Sequence, residues 1–151
     1  MSTKIFPTAQ DAENAFYEAL ERGDLEGMMA VWAEDEEIIC VHPGGPRLSG
    51  PEEVRASWAR IFSGGVGPRV HITQQVAVTA MMIAVHSVHE NFTLEGAARR
   101  DTPPLPVVAT NVYLRTAAGW RMIVHHASPA PAQPQQQKPA QPRDTGPKTL
   151  H

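Results

Sequence analysis

One cysteine, Cys40, is present in 151 residues. That excludes an intrachain disulfide framework and any cysteine-rich zinc site. Basic charge is scarce too: 13 Lys and Arg stand against 16 Asp and Glu, for a net charge of -3. Binding phosphates needs a clustered basic surface, so nucleic acid is not expected as the main partner. No apolar run approaches the roughly 18 residues that a membrane helix needs. Met1 to Ala9 has no apolar signal-peptide core, and a cytoplasmic protein is expected. What is present is an ordinary globular balance, 42% apolar and 19% charged. The length suits one domain, which can bury about 68–70% of its unfolded surface without a metal or disulfide staple.

Proline is the exception to this economy. There are 14, and Pro129, Pro131, Pro134, Pro139, Pro142 and Pro147 fall in the last stretch, among glutamines and without an aromatic residue. Such a segment has too little apolar surface to offset its ordering entropy. Ser128 to His151 is expected to be a disordered or polyproline-II tail, leaving residues 8–127 as the working domain.

Within that domain Ala12, Ala15, Phe16, Ala19 and Leu20 form the stripe of an amphipathic helix over 10–22. Thr8 or Gln10–Asp11 can start it and Gly23 can close it. Asp24 caps a second helix carrying Leu25, Met28, Met29 and Trp32. Ile38 to His42 reads as a short strand stopped by Pro43-Gly44-Gly45-Pro46. Ser49-Gly50-Pro51-Glu52 reads as a capping box opening a third helix, which buries Val54, Trp58, Ile61 and Phe62. Residues 70–79, 81–94, 107–116 and 120–127 are strand-like, with Ala117-Ala118-Gly119 as a hairpin connection and 96–106 as a mobile loop. Helices first and strands last indicate an α+β fold, with helices on one face of a mostly antiparallel sheet.

Four segments occur in a telling order. They are Phe16-Tyr17-Glu18-Ala19-Leu20-Glu21-Arg22-Gly23-Asp24, Trp32-Ala33-Glu34-Asp35, Leu48-Ser49-Gly50 with Val54-Arg55-Ala56-Ser57-Trp58, and Gly119 through Ser128. Together they resemble the SnoaL-like branch of the nuclear transport factor 2-like superfamily, over about residues 10–128. The resemblance implies a curved sheet wrapped around three helices as a cystatin-like cone, with an apolar pocket inside. It also implies homodimers paired through the outer sheet face. Steroid isomerases, polyketide cyclases, dehydratases, epoxide hydrolases and non-enzymes share this cone, so fold does not settle function.

Alternation in the first strand puts Ile38, Cys40 and His42 on one face and Ile39 and Val41 on the other. The steroid-isomerase relatives carry a general-base aspartate near the end of this strand. Aligning on the proline places His42 there; counting from the aromatic at the end of helix two places Cys40 there. The resemblance makes His42 the candidate catalytic base, against the plainer reading of a strand-end histidine bonded to backbone. Those relatives use a helix-one tyrosine as oxyanion donor, and its position here is Phe16. Tyr17 lies about 100° around the helix. This departure argues against ketosteroid isomerase chemistry. An acidic pocket residue is not placed by the sequence, with Glu36, Glu37 and Glu90 all on or near strands.

Cys40, Trp32, Trp58, Phe16, Asn111 and His126 complete the candidate ligand-binding set. His126 shares a strand face with Trp120, Met122 and Val124, while Arg121 and His125 face away. The hairpin register decides whether Asn111 joins His126 or His125. Pairing Leu114 with Trp120 gives the cleaner apolar face and is preferred; pairing Arg115 with Trp120 is the alternative. His86 and His89, three apart on a strand, point to opposite faces, as do His125 and His126, so no metal site and no cofactor is expected. Two functions follow. One is binding of a small apolar ligand, with or without cofactor-free isomerisation or cyclisation. The other is a non-catalytic association module. A pocket with converging polar groups favours the first, and an interior filled by Trp58, Phe62 and methionines favours the second.

Overall fold

Helix α1 spans Ala9–Arg22 and is fixed at both ends by its own sequence. The Thr8 hydroxyl accepts from the Asp11 amide at 3.0 Å, and the Asp11 carboxylate accepts from the Thr8 amide at 3.2 Å. Two orphan amides are satisfied reciprocally. At the other end Gly23 adopts φ 64°. A Cβ there would lie 2.3 Å from the Gly65 carbonyl oxygen, so both backbone shape and close packing demand glycine. Asp24 caps α2, Leu25–Val31, by accepting from the Gly27 amide at 3.0 Å.

The computed structural model describes residues 4–34, 37–93 and 105–131. Among them follow β1 (Ile39–Val41), β2 (Arg47–Ser49), α3 (Pro51–Phe62), β3 (Arg69–Thr79), β4 (Ile83–Thr93), β5 (Leu105–Thr116) and β6 (Gly119–Pro129). The strands form one sheet in the order β2-β1-β6-β5-β4-β3. All its pairs are antiparallel except β1 with β6. The fold is α+β, as the element order predicts, with the helices on one face of a mixed sheet. Phe16, Met28, Trp32, Val54, Trp58 and Met122 make the centre of the core between the two layers.

Several expectations are corrected. Ser49 does not cap α3: it ends β2, and the cap is Gly50 with Pro51 at the first helical position. Ser49 instead donates its amide to Glu53 at 2.9 Å. Strand β2 itself is unexpected, being three residues between two proline-marked turns. Strand β6 runs past residue 127: Pro129 still pairs with Val107 and the Ala130 amide donates to Pro106 at 3.0 Å. The remainder of the predicted tail, 132–151, lies outside the described residues. So does most of the loop expected at 96–106, although its last residues, Leu105 and Pro106, already belong to β5.

The largest correction concerns the last hairpin. Trp120 pairs with Arg115, not Leu114. Further along, Tyr113 pairs with Met122 and Val112 with Val124, which leaves Ile123 as an extra residue. This β-bulge inverts the inward–outward alternation of β6 at its midpoint. Trp120 and Met122 face the helices before it; His125 and Ala127 do so after it. His126 is therefore exposed on the outer face, contrary to its expected place beside the pocket. Arg121 does face away from the helices, but it is buried under the N-terminal segment. Its guanidinium donates to the Lys4 and Trp120 carbonyls and lies 4.9 Å from the Phe6 ring centroid.

Candidate functional site

Strand β1 delivers Cys40 and His42 to the inner face, as alternation requires, with Cys40 fully buried and His42 partly so. Helix α3 lays Ser57 and Trp58 against them. The His42 Nε2 is 3.0 Å from the Ser57 hydroxyl and 3.7 Å from the Cys40 sulfur. Ser57 gives its own proton to the Val54 carbonyl at 2.7 Å. The serine oxygen can then only accept from His42, so the imidazole proton sits on Nε2 and Nδ1 keeps its lone pair. Burial, and secondarily the Arg60 guanidinium, lower the His42 pKa. The ring is a neutral base. Burial pushes the Cys40 thiol up to about 12, which removes it as a thiolate nucleophile. Ser57 is likewise no activated nucleophile, because its hydroxyl proton points to a carbonyl rather than to a base.

Behind His42 the aromatic residues close on one another. The Trp58 ring stands 4.7 Å from His42, 5.6 Å from Phe16 and 5.5 Å from Phe62, centroid to centroid. Phe16 lies 6.5 Å from Trp32 and 4.7 Å from the His125 ring. The indole N–H groups of both Trp32 and Trp58 are buried with no hydrogen-bond partner among the described residues. Buried donors of this kind cost free energy unless something accepts from them.

A string of polar side chains runs through the same interior. Asn111 pairs directly with His125 across β5 and β6, so the register fixed by the bulge unites Asn111 with His125 and not with His126. The His125 Nδ1 is 2.6 Å from the Asn111 Oδ1. The Asn111 amide donates to the Tyr17 hydroxyl at 2.9 Å, and Tyr17 donates to Glu90 Oε2 at 2.6 Å. All four are buried. Burial, with smaller contributions from His42 and His126, drives the His125 pKa down to about 3. Burial drives the Glu90 pKa up to about 7 against the lowering effect of the Tyr17 hydrogen bond.

A second cluster adjoins it. Glu13 and His86, both buried, are in close polar contact through Glu13 Oε2 and His86 Nδ1. Gln75 donates to Glu13 at 3.2 Å from a bulge in β3, where Gln74 holds φ 52°. Glu13 Oε1 and the Tyr113 hydroxyl are buried nearby without a hydrogen-bond partner among the described residues. Burial and the Glu13 carboxylate raise the Tyr113 pKa.

Of the predicted site residues, His42, Cys40, Trp58, Phe16 and Asn111 gather in this interior with Trp32 behind Phe16; His126 does not. Glu13, absent from the expected site, is buried; Tyr17, not Phe16, is the α1 residue hydrogen-bonded to Glu90 and Asn111; and His125 lies on the inner face, opposite to its expected side. The spacing of Glu13, Tyr17 and Leu20 carries a signal for the first two: they share a helical face adjoining the apolar stripe. His86 and His89 do point apart, the first inward and buried.

Comparison with known proteins adds the following. The SnoaL-like domain family matches residues 10–133. A solved structure from Thiobacillus denitrificans, named for a calcium/calmodulin-dependent protein kinase type II association domain, is 38% identical with a TM-score of 0.76. The match covers 85% of this chain and 99% of that one. A structure from Streptomyces avermitilis, named for a dehydratase of the NTF2-like family, is 35% identical with a TM-score of 0.69, over 80% of this chain and 93% of that one. Among curated proteins the F-box protein SKIP8 of Arabidopsis thaliana is 26% identical over 115 residues, 75% of this chain. The matched part spans about half, 46%, of that relative's length.

Proposed function

The chain belongs to the SnoaL-like domain family, and from that premise we propose that it binds a small, largely apolar ligand at the inner end of β1, with His42 as acceptor or general base. The supporting observation is the His42–Ser57–Val54 chain, which commits Nε2–H and leaves Nδ1 as a lone pair on a partly exposed ring. Such a ring can take a proton from a hydroxyl or from carbon next to a carbonyl. The unpartnered Trp58 N–H, on the ring packed against His42, is the available donor to an oxygen that gains charge. Phe16, the counterpart of the steroid-isomerase tyrosine, supplies no such donor. If the domain turns its ligand over, cofactor-free isomerisation or cyclisation is the chemistry these groups can perform. A bound ligand stabilises by mass action, so a thermal-shift screen of small ketones, acids and alcohols on the full chain should find binders. His42→Ala should remove the shift and any turnover while the circular dichroism spectrum is kept. An unchanged shift in that variant would take His42 out of the site.

An association role is a second reading, compatible with the first. Ile39, Val124, Val112, Val85 and Val78 register side by side across β1, β6, β5, β4 and β3. All five are partly or fully exposed, on the face away from the helices. An unbroken apolar row on a water-facing sheet favours burial against another protein surface. A second copy of the chain, presenting the same row, is the proposed partner. The likeness to a structure named as an association domain agrees with this reading.

A further inference from the structure

The four-residue string has a direction, and it is set from the Glu90 end. The Tyr17 hydroxyl donates to Glu90 Oε2, and above the raised Glu90 pKa the carboxylate can only accept. The Tyr17 oxygen must then accept, which turns the Asn111 amide nitrogen toward it. That leaves the Asn111 Oδ1, an obligate acceptor, facing His125 Nδ1. His125 therefore carries its proton on Nδ1, and its lone pair is on Nε2. In an imidazole Nε2 is the ring nitrogen distant from Cβ, and the His125 side chain as a whole is buried in the interior. There the ring meets Phe16 and Trp58, and no hydrogen bond to Nε2 is found among the described residues.

Four buried polar side chains give little net stability, since each hydrogen bond largely repays desolvation. Apolar residues would fill the space as well. What the string does secure is one tautomer of one histidine.

We infer that His125 is a second ligand-contacting group of this interior, that Asn111, Tyr17 and Glu90 are positioning residues for it, and that the ligand class is neutral and hydroxyl-bearing. This rests on the reading that the interior beside His42 takes a small molecule. A hydroxyl brings a donor to the Nε2 lone pair. A carboxylate would set lone pair against lone pair, beside an imidazole that burial keeps uncharged. Aromatic walls from Phe16 and Trp58 suit a phenol.

The test uses the full chain labelled with 15N and long-range histidine correlation spectra at pH 8.5, where Glu90 is ionised, with phenol and benzoate as probes. His125 should show Nδ1–H and a bare Nε2. Phenol should move the Nε2 resonance and benzoate should not. Asn111→Asp replaces the amide with a carboxylate that stabilises a second proton on His125. It should weaken phenol at least tenfold and admit benzoate. Tyr17→Phe keeps the ring and frees the Asn111 amide to turn, so a second His125 tautomer should appear; this variant serves if Asn111→Asp does not fold. An Nε2–H or doubly protonated His125 in the wild type overturns the inference, as does an Nε2 resonance indifferent to phenol. A single unchanged tautomer in Tyr17→Phe overturns the positioning roles. The two readings separate cleanly. If phenol moves His125 but His42→Ala binds as wild type does, the inference stands and the His42 assignment falls. If His42→Ala abolishes ligand response while phenol leaves Nε2 unmoved, only the inference fails.

Discussion

Glu90 and His125 occupy opposite ends of one hydrogen-bonded string and answer pH with opposite signs. His125 titrates near 3 in the fold against an ordinary 6.5. Its contribution to stability is fully present above pH 6.5 and is lost as pH falls toward 3, where the unfolded chain binds the proton first. His42, also lowered, adds in the same direction. Glu90 titrates near 7 against an ordinary 4.5. Its contribution is present below pH 4.5 and is lost as pH rises through 7. Between pH 4.5 and 6.5 the Glu90 slope offsets the histidine slope. Glu90→Gln removes the offset and keeps an acceptor for Tyr17. The stability of that variant should rise with pH across this window more steeply than the wild type, by about 1.4 kcal/mol per pH unit. Urea unfolding at a series of pH values measures it; parallel curves would refute it. At this scale the sequence showed the apolar members of the interior plainly, because Phe16, Trp32 and Trp58 lie on helical stripes. Glu13 and Tyr17 left only their spacing beside the apolar stripe and Glu90 left no sign, since a carboxylate or phenol on an amphipathic element is ordinarily solvated. Only its partner from another element explains its burial.

Elements whose rules are local came through the sequence intact. The Thr8 and Asp24 caps, the end of α1 at Gly23 and the inward parity of Cys40 and His42 all follow from contacts within a few residues. Gly23→Ala tests one of them. The new methyl would face the Gly65 carbonyl at 2.3 Å on a backbone at φ 64°, so the variant should lose more than about 1 kcal/mol. A denaturation midpoint equal to the wild type would show that α1 tolerates another ending. Elements defined by partners were less legible. Strand β2 is three residues long and exists because Cys40 pairs with Leu48. Parallel pairing of β1 with β6 joins residues more than eighty positions apart, and no local pattern announces it.

For the molecule as a whole, the proposed homodimer makes a direct prediction. Val112 lies in the middle of the outer row, between Val85 and Val124. Light scattering at micromolar protein should give about twice the 16.5 kDa chain mass. Val112→Asp should halve it, because a carboxylate would be buried unpaired in the interface, while circular dichroism stays unchanged. A wild-type mass of one chain, or a variant still paired, would reject this surface as the contact.

Short-range sterics and hydrophobic period were enough to specify three helices, the caps of the first two, the inward face of β1 and the α+β order. These depend on neighbours in sequence, and neighbours in sequence can be read. Which of two adjacent histidines turns inward was decided elsewhere. One extra residue, Ile123, reverses the parity of β6 and brings His125 rather than His126 to Asn111, Tyr17 and Glu90. A strand has period two, so a single unpaired residue exchanges its faces, and pairing with another strand is what reveals that residue.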